Sequence, residues 1–333
     1  MSDRRGFFRS TLGATAALGA VQGLTACGGG GVSEAAAATA PNPLSAQLKS
    51  LTASSVWKKV GETPLAGAAF HPQGLVRTAD AYYVSTVEIL TLPTALVPPS
   101  GGYDRTTGTG KGHVLKFDLS GKLIADLQIG EGTVYHPGGM DFDGTNLWVP
   151  VAEYRPDSQS LFYKIDPVTM QATKLFGFRD HIGGLSRAVE TNALHAISWG
   201  SRRFYRFTLD ASKMTSPELA TAPADLRKAN RAFYIDYQDN QSLGNNEMLY
   251  TGLTSFAATP NSNAFALGGL EIVNLETGLP VHQVPVKLWA PSRRPMTTNA
   301  TWFESTADGI RAYFVPDDDV ASVHIYEVAV SPG

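Results

Sequence analysis

Three short stretches place a histidine in the same setting: His71-Pro72-Gln73-Gly74-Leu75, His136-Pro137-Gly138-Gly139-Met140 and His181-Ile182-Gly183-Gly184-Leu185. Imidazole changes charge near neutral pH, and its neutral form is a common transition-metal ligand. Three imidazoles brought to one point could hold a divalent ion such as zinc, iron or manganese and leave positions open for water or substrate. Such an ion would lower the pKa of its bound water for hydrolysis, or polarise a carbonyl. Glu88 and Glu153 lie thirteen residues beyond Leu75 and Met140 (88 − 75 and 153 − 140). They are expected to accept the second ring N–H of the histidine in their own repeat and so fix its tautomer. Arg155 and Arg202 carry planar forks that could orient an anionic substrate. The competing reading is architectural. A histidine at a strand start can bond a neighbouring carbonyl, and the glycines can serve close backbone approach.

A motif that recurs in this way implies repetition of one supersecondary block. Each histidine precedes an apolar strand, a polar turn and a second strand, in runs rich in Val, Ile, Tyr, Phe and Trp. The clearest unit joins Gly138–Phe142, Leu147–Ala152, Leu161–Ile165 and Ala172–Phe178. The same order predicts five such units, the last lacking a fourth strand. Val56-Trp57-Lys58-Lys59-Val60 is a strand without a unit, and supplying it to the last one would close a ring and remove a sheet edge. The expectation is an all-β, five-bladed β-propeller of four-stranded antiparallel blades over residues 46–333. The alternative is six blades, with residues 205–235 adding one. In such a ring the three histidines, Glu88, Glu153, Arg155 and Arg202 share one face. Asp239 takes the histidine position in the fourth unit, and Thr298 or Asn299 takes it in the fifth. The insertions 89–112 and 255–265 stand at the same end, while the hairpin turns lie at the other. His113, His195, His282 and His324 fall on outer strands and read as structural.

The N-terminus reads as an address. Arg4-Arg5 followed by an uncharged stretch from Ser10 to Ala26 has the form of a twin-arginine signal, and Leu24-Thr25-Ala26-Cys27 that of a lipobox. Residues 1–26 are then a signal peptide, Cys27 a lipidated residue, and 27–45, rich in Gly, Ala and Pro, a flexible tether. Cys27 is the only cysteine, which excludes an internal disulfide. The expected place is the cell envelope, with the domain facing the periplasm or exterior and attached through the lipid alone. A net charge of −3 without a basic tract argues against nucleic acid as a partner.

Other motifs are weaker. Gly108-Thr109-Gly110-Lys111-Gly112 has no helix after it to make a phosphate loop. Ser201 lacks a nucleophile elbow, and Asp317-Asp318-Asp319 reads as an acidic surface loop rather than a calcium site. The segments Tyr135–Met140, Ala152–Pro156, Asp180–Gly184 and Ser198–Arg202 resemble an uncharacterised family of secreted propeller-like proteins. That resemblance implies a propeller without an assigned activity. More distantly the domain is similar to gluconolactonase-type propellers, whose calcium site is built from carboxylates and amides where this chain has histidines. Two functions remain in view. One is a metal-dependent hydrolase or lyase for a small anionic molecule. The other is a non-catalytic binding or scaffold propeller for a cell-envelope partner.

Overall fold

Alternating apolar runs and Gly, Asn or Asp turns fold into antiparallel hairpins, because the turn residues supply the left-handed or tight backbone that a hairpin needs. The computed structural model describes residues 42–210 and 212–330. The twin-arginine stretch, Cys27 and tether residues 27–41 lie outside the described residues. Residues 43–45, expected in the tether, instead open a helix α1 (Pro43–Lys49), capped by the Asn42 side chain on Leu44 N–H.

Five antiparallel sheets follow in sequence order and form a five-bladed propeller. Blade 1 comprises His71–Arg77, Ala81–Thr91, Thr109–Asp118 and Leu123–Ile129. In blade 2 the first strand is broken into Val134–Pro137 and Asp141–Phe142; the others are Leu147–Glu153, Ser160–Ile165 and Ala172–Phe178. Blade 3 holds Ile182–Ala188, Ala193–Ser198, Arg203–Thr208 and only Lys228–Ala229 as its fourth strand. Blade 4 holds Asp236–Gly244, Glu247–Phe256, Phe265–Asn274 and Leu279–Val286. Blade 5 takes Ala300–Thr306, Gly309–Val315 and Ser322–Ala329 from the C-terminus, and β1 (Lys58–Pro64) from the N-terminus.

The ring closes as the unpaired N-terminal strand required: β1 runs antiparallel to Ser322–Ala329, with Lys58 opposite Glu327 and Pro64 opposite Ser322. The six-blade alternative fails because the chain between Thr208 and Lys228 forms two short helices, Pro217–Ala220 and Pro223–Leu226, rather than a further sheet. Neighbouring blades bury apolar faces against one another, which is why Leu147–Glu153 is buried at every position without polar alternation.

The axis is polar, and blade 4 supplies most of it. Asp239 Oδ2 accepts N–H bonds from Leu75 of blade 1 (3.0 Å) and Thr301 of blade 5 (2.8 Å). The Gln241 amide pairs with both backbone groups of Phe303, and Asn240 Nδ2 donates to Leu185 O of blade 3. Asp141 of blade 2 accepts from Ser242 N–H. Glycines at the same level admit these contacts: a Cβ on Gly184 would stand 2.2 Å from Asn240 Oδ1, so no larger residue fits there.

Candidate functional site

At one end of this axis His71, His136 and His181 line a single cavity of about 200 Å³. The spacing read from sequence therefore brings the three rings together. His136 is the middle one, its ring centre 6.3 Å from that of His71 and 6.2 Å from that of His181. The register explains the convergence. His71 stands opposite Val87, His136 opposite Ala152, and His181 O accepts from Trp199 N–H, so each tops the first strand of its blade.

Blade 4 places Asp236, not Asp239, at this level. The ladder slips by one residue between Pro72 and Gly74, Ile182 and Gly184, and Tyr237 and Asp239. Counting back from that shared bulge makes Asp236 the counterpart of His71, and Asp236 lines the cavity while Asp239 is sealed in the axis. In blade 5, Asn299 is buried and does not line the cavity, and the Thr298 hydroxyl donates to Pro295 O.

The partners of the histidines differ from the expected ones. His71 Nδ1 pairs with Asp318 Oδ1 at 2.8 Å, and Asp318 is held in turn by Arg294 (2.8 Å) and by Asn299 Nδ2 (3.1 Å). Burial alone would raise the Asp318 carboxyl, but His71 and Arg294 outweigh it and hold it below the ordinary range. His181 Nδ1 lies 2.7 Å from the backbone oxygen of Glu153. A carbonyl only accepts, so Nδ1 carries the proton and Nε2 keeps its lone pair. Burial lowers the His181 pKa to about 4. Among the described residues no hydrogen bond of ordinary geometry reaches either ring nitrogen of His136; the Tyr154 ring covers it at 4.2 Å, and burial keeps its pKa far below the usual value.

Glu88 and Glu153 do not receive the ring N–H groups. Val87 and Ala152 face the histidines across the ladder, and the next residue on a strand points to the opposite face. Glu88 instead pairs with Lys111 at 2.8 Å. The buried Glu153 carboxylate accepts from Thr133, Gln159 and Arg155, which overcome the upward effect of burial and lower its pKa. Arg155 is thereby engaged, and its guanidinium lies 3.4 Å from the Tyr103 ring centre. Arg202 is exposed beside the mouth; burial raises the Asp236 carboxyl above its ordinary range, and the Ser201 hydroxyl and the Arg202 charge offset only part of that. Neither arginine lines the cavity.

Asp318, read from sequence as part of an acidic surface loop, instead backs His71; its loop follows a second strand and so belongs to this face by the same rule that placed Glu153 there. The aromatic walls, Tyr154, Trp199 and Tyr237, were not singled out from sequence, although the first two sit inside the segments that carry the family resemblance. Tyr154 and His71 also line a neighbouring cavity, of about 490 Å³.

As to metals, no group of three or more His, Cys, Asp or Glu among the described residues is placed to hold an ion. Imidazoles sharing one ion at ~2.1 Å would have ring centres roughly 5 Å apart, about an ångström closer than these.

A model of DUF6454, a family of unknown function, matches residues 33–332. The chain belongs to this family. That agrees with the expected uncharacterised propeller family. No curated protein matches by sequence. Among solved structures, the chain is similar to Myxococcus xanthus glutaminyl cyclase, with 13% identity and a TM-score of 0.47, over 83% of this chain and 98% of that one. A luciferin-regenerating enzyme gives 12% and 0.44 over 83% and 95%. Kuenenia stuttgartiensis hydrazine synthase gives 11% and 0.37 over 75% and 58%. Likenesses this distant carry no argument about what a DUF6454 protein does, and the similarity to gluconolactonase-type propellers gains no support from them.

Proposed function

We propose that this propeller is an enzyme of the cell envelope, exported and lipid-anchored at Cys27, that acts on a small molecule by imidazole proton transfer. His136 carries the reading. Leaving a buried donor and acceptor unpaired costs about 1–3 kcal/mol per group, and no hydrogen bond of ordinary geometry among the described residues offsets that for this ring. A ligand that reached both nitrogens would. The flanking rings are prepared for chemistry: His181 offers an Nε2 lone pair with its tautomer fixed, and His71 is backed by a carboxylate, the arrangement of a general base and its orienting acid. Hydrolysis or elimination are the reactions such groups serve.

A second reading keeps the divalent ion. The engagement of His71 Nδ1 and His181 Nδ1 by Asp318 and by a carbonyl is the outer-sphere pattern of metal-binding imidazoles. It requires the rings to close by about an ångström.

The test is a thermal-shift screen of small polar molecules against the mature chain purified without a histidine tag, with elemental analysis of the same preparation. Compounds that stabilise the wild type but not His136→Leu, and that are consumed on incubation at a rate lowered at least tenfold in His181→Gln, support the enzyme. Compounds that bind but are returned unchanged leave a binding protein. Hits that bind His136→Leu equally well sink the pocket assignment. One equivalent of zinc, iron or manganese, lost in the triple histidine variant, selects the metal reading over proton transfer alone.

A further inference from the structure

The geometry points to an organic cation as the ligand: an ammonium head among Tyr154, Trp199 and Tyr237, with Asp236 as its counter-charge. The inference rests on the pocket being a ligand site and adds the ligand's charge, which reverses the expected anion.

Asp236 is the only lining residue that is an acid or base other than histidine and tyrosine. No lysine or arginine lines the cavity, and the cations around its mouth are largely spent on carboxylates. Arg155 is held by Glu153, Arg105 by Asp104, Arg294 by Asp318, and Arg203 by Asp180. Arg202 remains, outside the lining. In the adjoining cavity Glu88 and Asp318 are matched by Lys111 and Arg294, and Asp319 adds a further carboxylate to the lining. A carboxylate or phosphate would enter this field against repulsion, whereas a cation is drawn in.

The Asp236 carboxylate is also deliberately placed. Ser201 Oγ donates to its Oδ1 at 3.0 Å and accepts the Tyr237 N–H. There Ser201 holds a φ of +58°, a left-handed conformation that a serine rarely adopts. Aromatic faces supply the rest of an ammonium site, because the ring quadrupole attracts a cation where water is excluded. Trp199 already hosts one: the Arg105 guanidinium lies 5.5 Å from its ring centre.

Calorimetric titration of the mature chain with three probes of one shape tests this. They are choline, the uncharged 3,3-dimethylbutan-1-ol and the anionic 3,3-dimethylbutyrate. Choline should bind at least roughly tenfold more tightly than the alcohol, and the carboxylate should not bind. In Asp236→Asn the preference for choline over the alcohol should disappear; the comparison of probes on the wild type stands even if that variant folds poorly. Alcohol or carboxylate binding as tightly as choline, or no choline binding, overturns the cation. If that tighter binding is abolished in His136→Leu, the pocket assignment survives while the charge assignment falls. Choline binding unaffected by both Asp236→Asn and His136→Leu would overturn both.

Discussion

The ionisable groups along the axis share one pressure. Stripped of water, imidazoles give up their proton and carboxyls keep theirs. Burial lowers His136 and His181, while it raises Asp239 well above the carboxylate range and Asp141 to about 7. Asp141 yields a signed prediction. Its folded pKa lies above the unfolded value of 3.8, so between 3.8 and about 7 the folded state binds more protons. Stability from this group is then fully present below pH 4 and is lost as pH rises to 7. Asp141→Asn keeps an acceptor for Ser242 N–H but removes the charge. Relative to wild type it should gain up to roughly 4 kcal/mol between pH 4 and 7, read from urea unfolding at each pH. A constant difference across that range would show that Asp141 is not held protonated. At this scale the histidine triplet was legible because its motif recurs within one chain. Its partners were not, since Asp318 lies 247 residues from His71 and only ring closure brings it near.

Strands explain both the success of the fold reading and its misplacement of the blade 4 site residue. Apolar runs and turn residues mark most strands, and an odd strand at the N-terminus marks the closure. The shared bulge does not show in composition, because blade 4 has Asp239 where blades 1, 2 and 3 have Gly74, Gly139 and Gly184. Without a glycine at that position to anchor the count, the reading falls on Asp239, three residues beyond Asp236 (239 − 236). The fourth strand of blade 3 was illegible for another reason: two residues, Lys228 and Ala229, carry no pattern. The closing strand makes its own prediction. β1 covers Ser322–Ala329, the last strand from the C-terminus, and the chain beyond it carries Leu65 N–H to Ala321 O and Ala66 N–H to Gly121 O, tying blade 5 to blade 1. A chain begun at residue 66 should expose that edge and aggregate, whereas one begun at residue 42 should elute as a single species. A soluble, monodisperse short form with an unchanged melting temperature would mean that β1 does not close the ring.

At the scale of the whole molecule, the place where the described chain enters and the place where the pocket opens are opposed. α1 packs Leu44 and Leu48 into the core shared by blades 4 and 5. Its polar side chains reach the hairpin turns: Lys49 pairs with Glu247, and Gln47 donates to Thr306 O. Those turns join first to second strands, whereas the histidines top the first strands at the other end. If Cys27 carries the proposed lipid, 42 − 27 = 15 residues join it to Asn42, at most ~50 Å of extended chain. The short leash ends on the turn side, so that side should face the lipid and the pocket should face away, open to solutes. A fluorophore on Thr145→Cys, in the blade 2 turn, should be quenched by headgroup-labelled lipid more strongly than one on Gly101→Cys, in the blade 1 insertion. In Cys27→Ser backgrounds both should lose quenching as the protein leaves the membrane. Stronger quenching at position 101 would put the pocket against the bilayer and make a membrane-borne substrate the one to pursue. Quenching unaffected by Cys27→Ser would remove the lipid anchor itself.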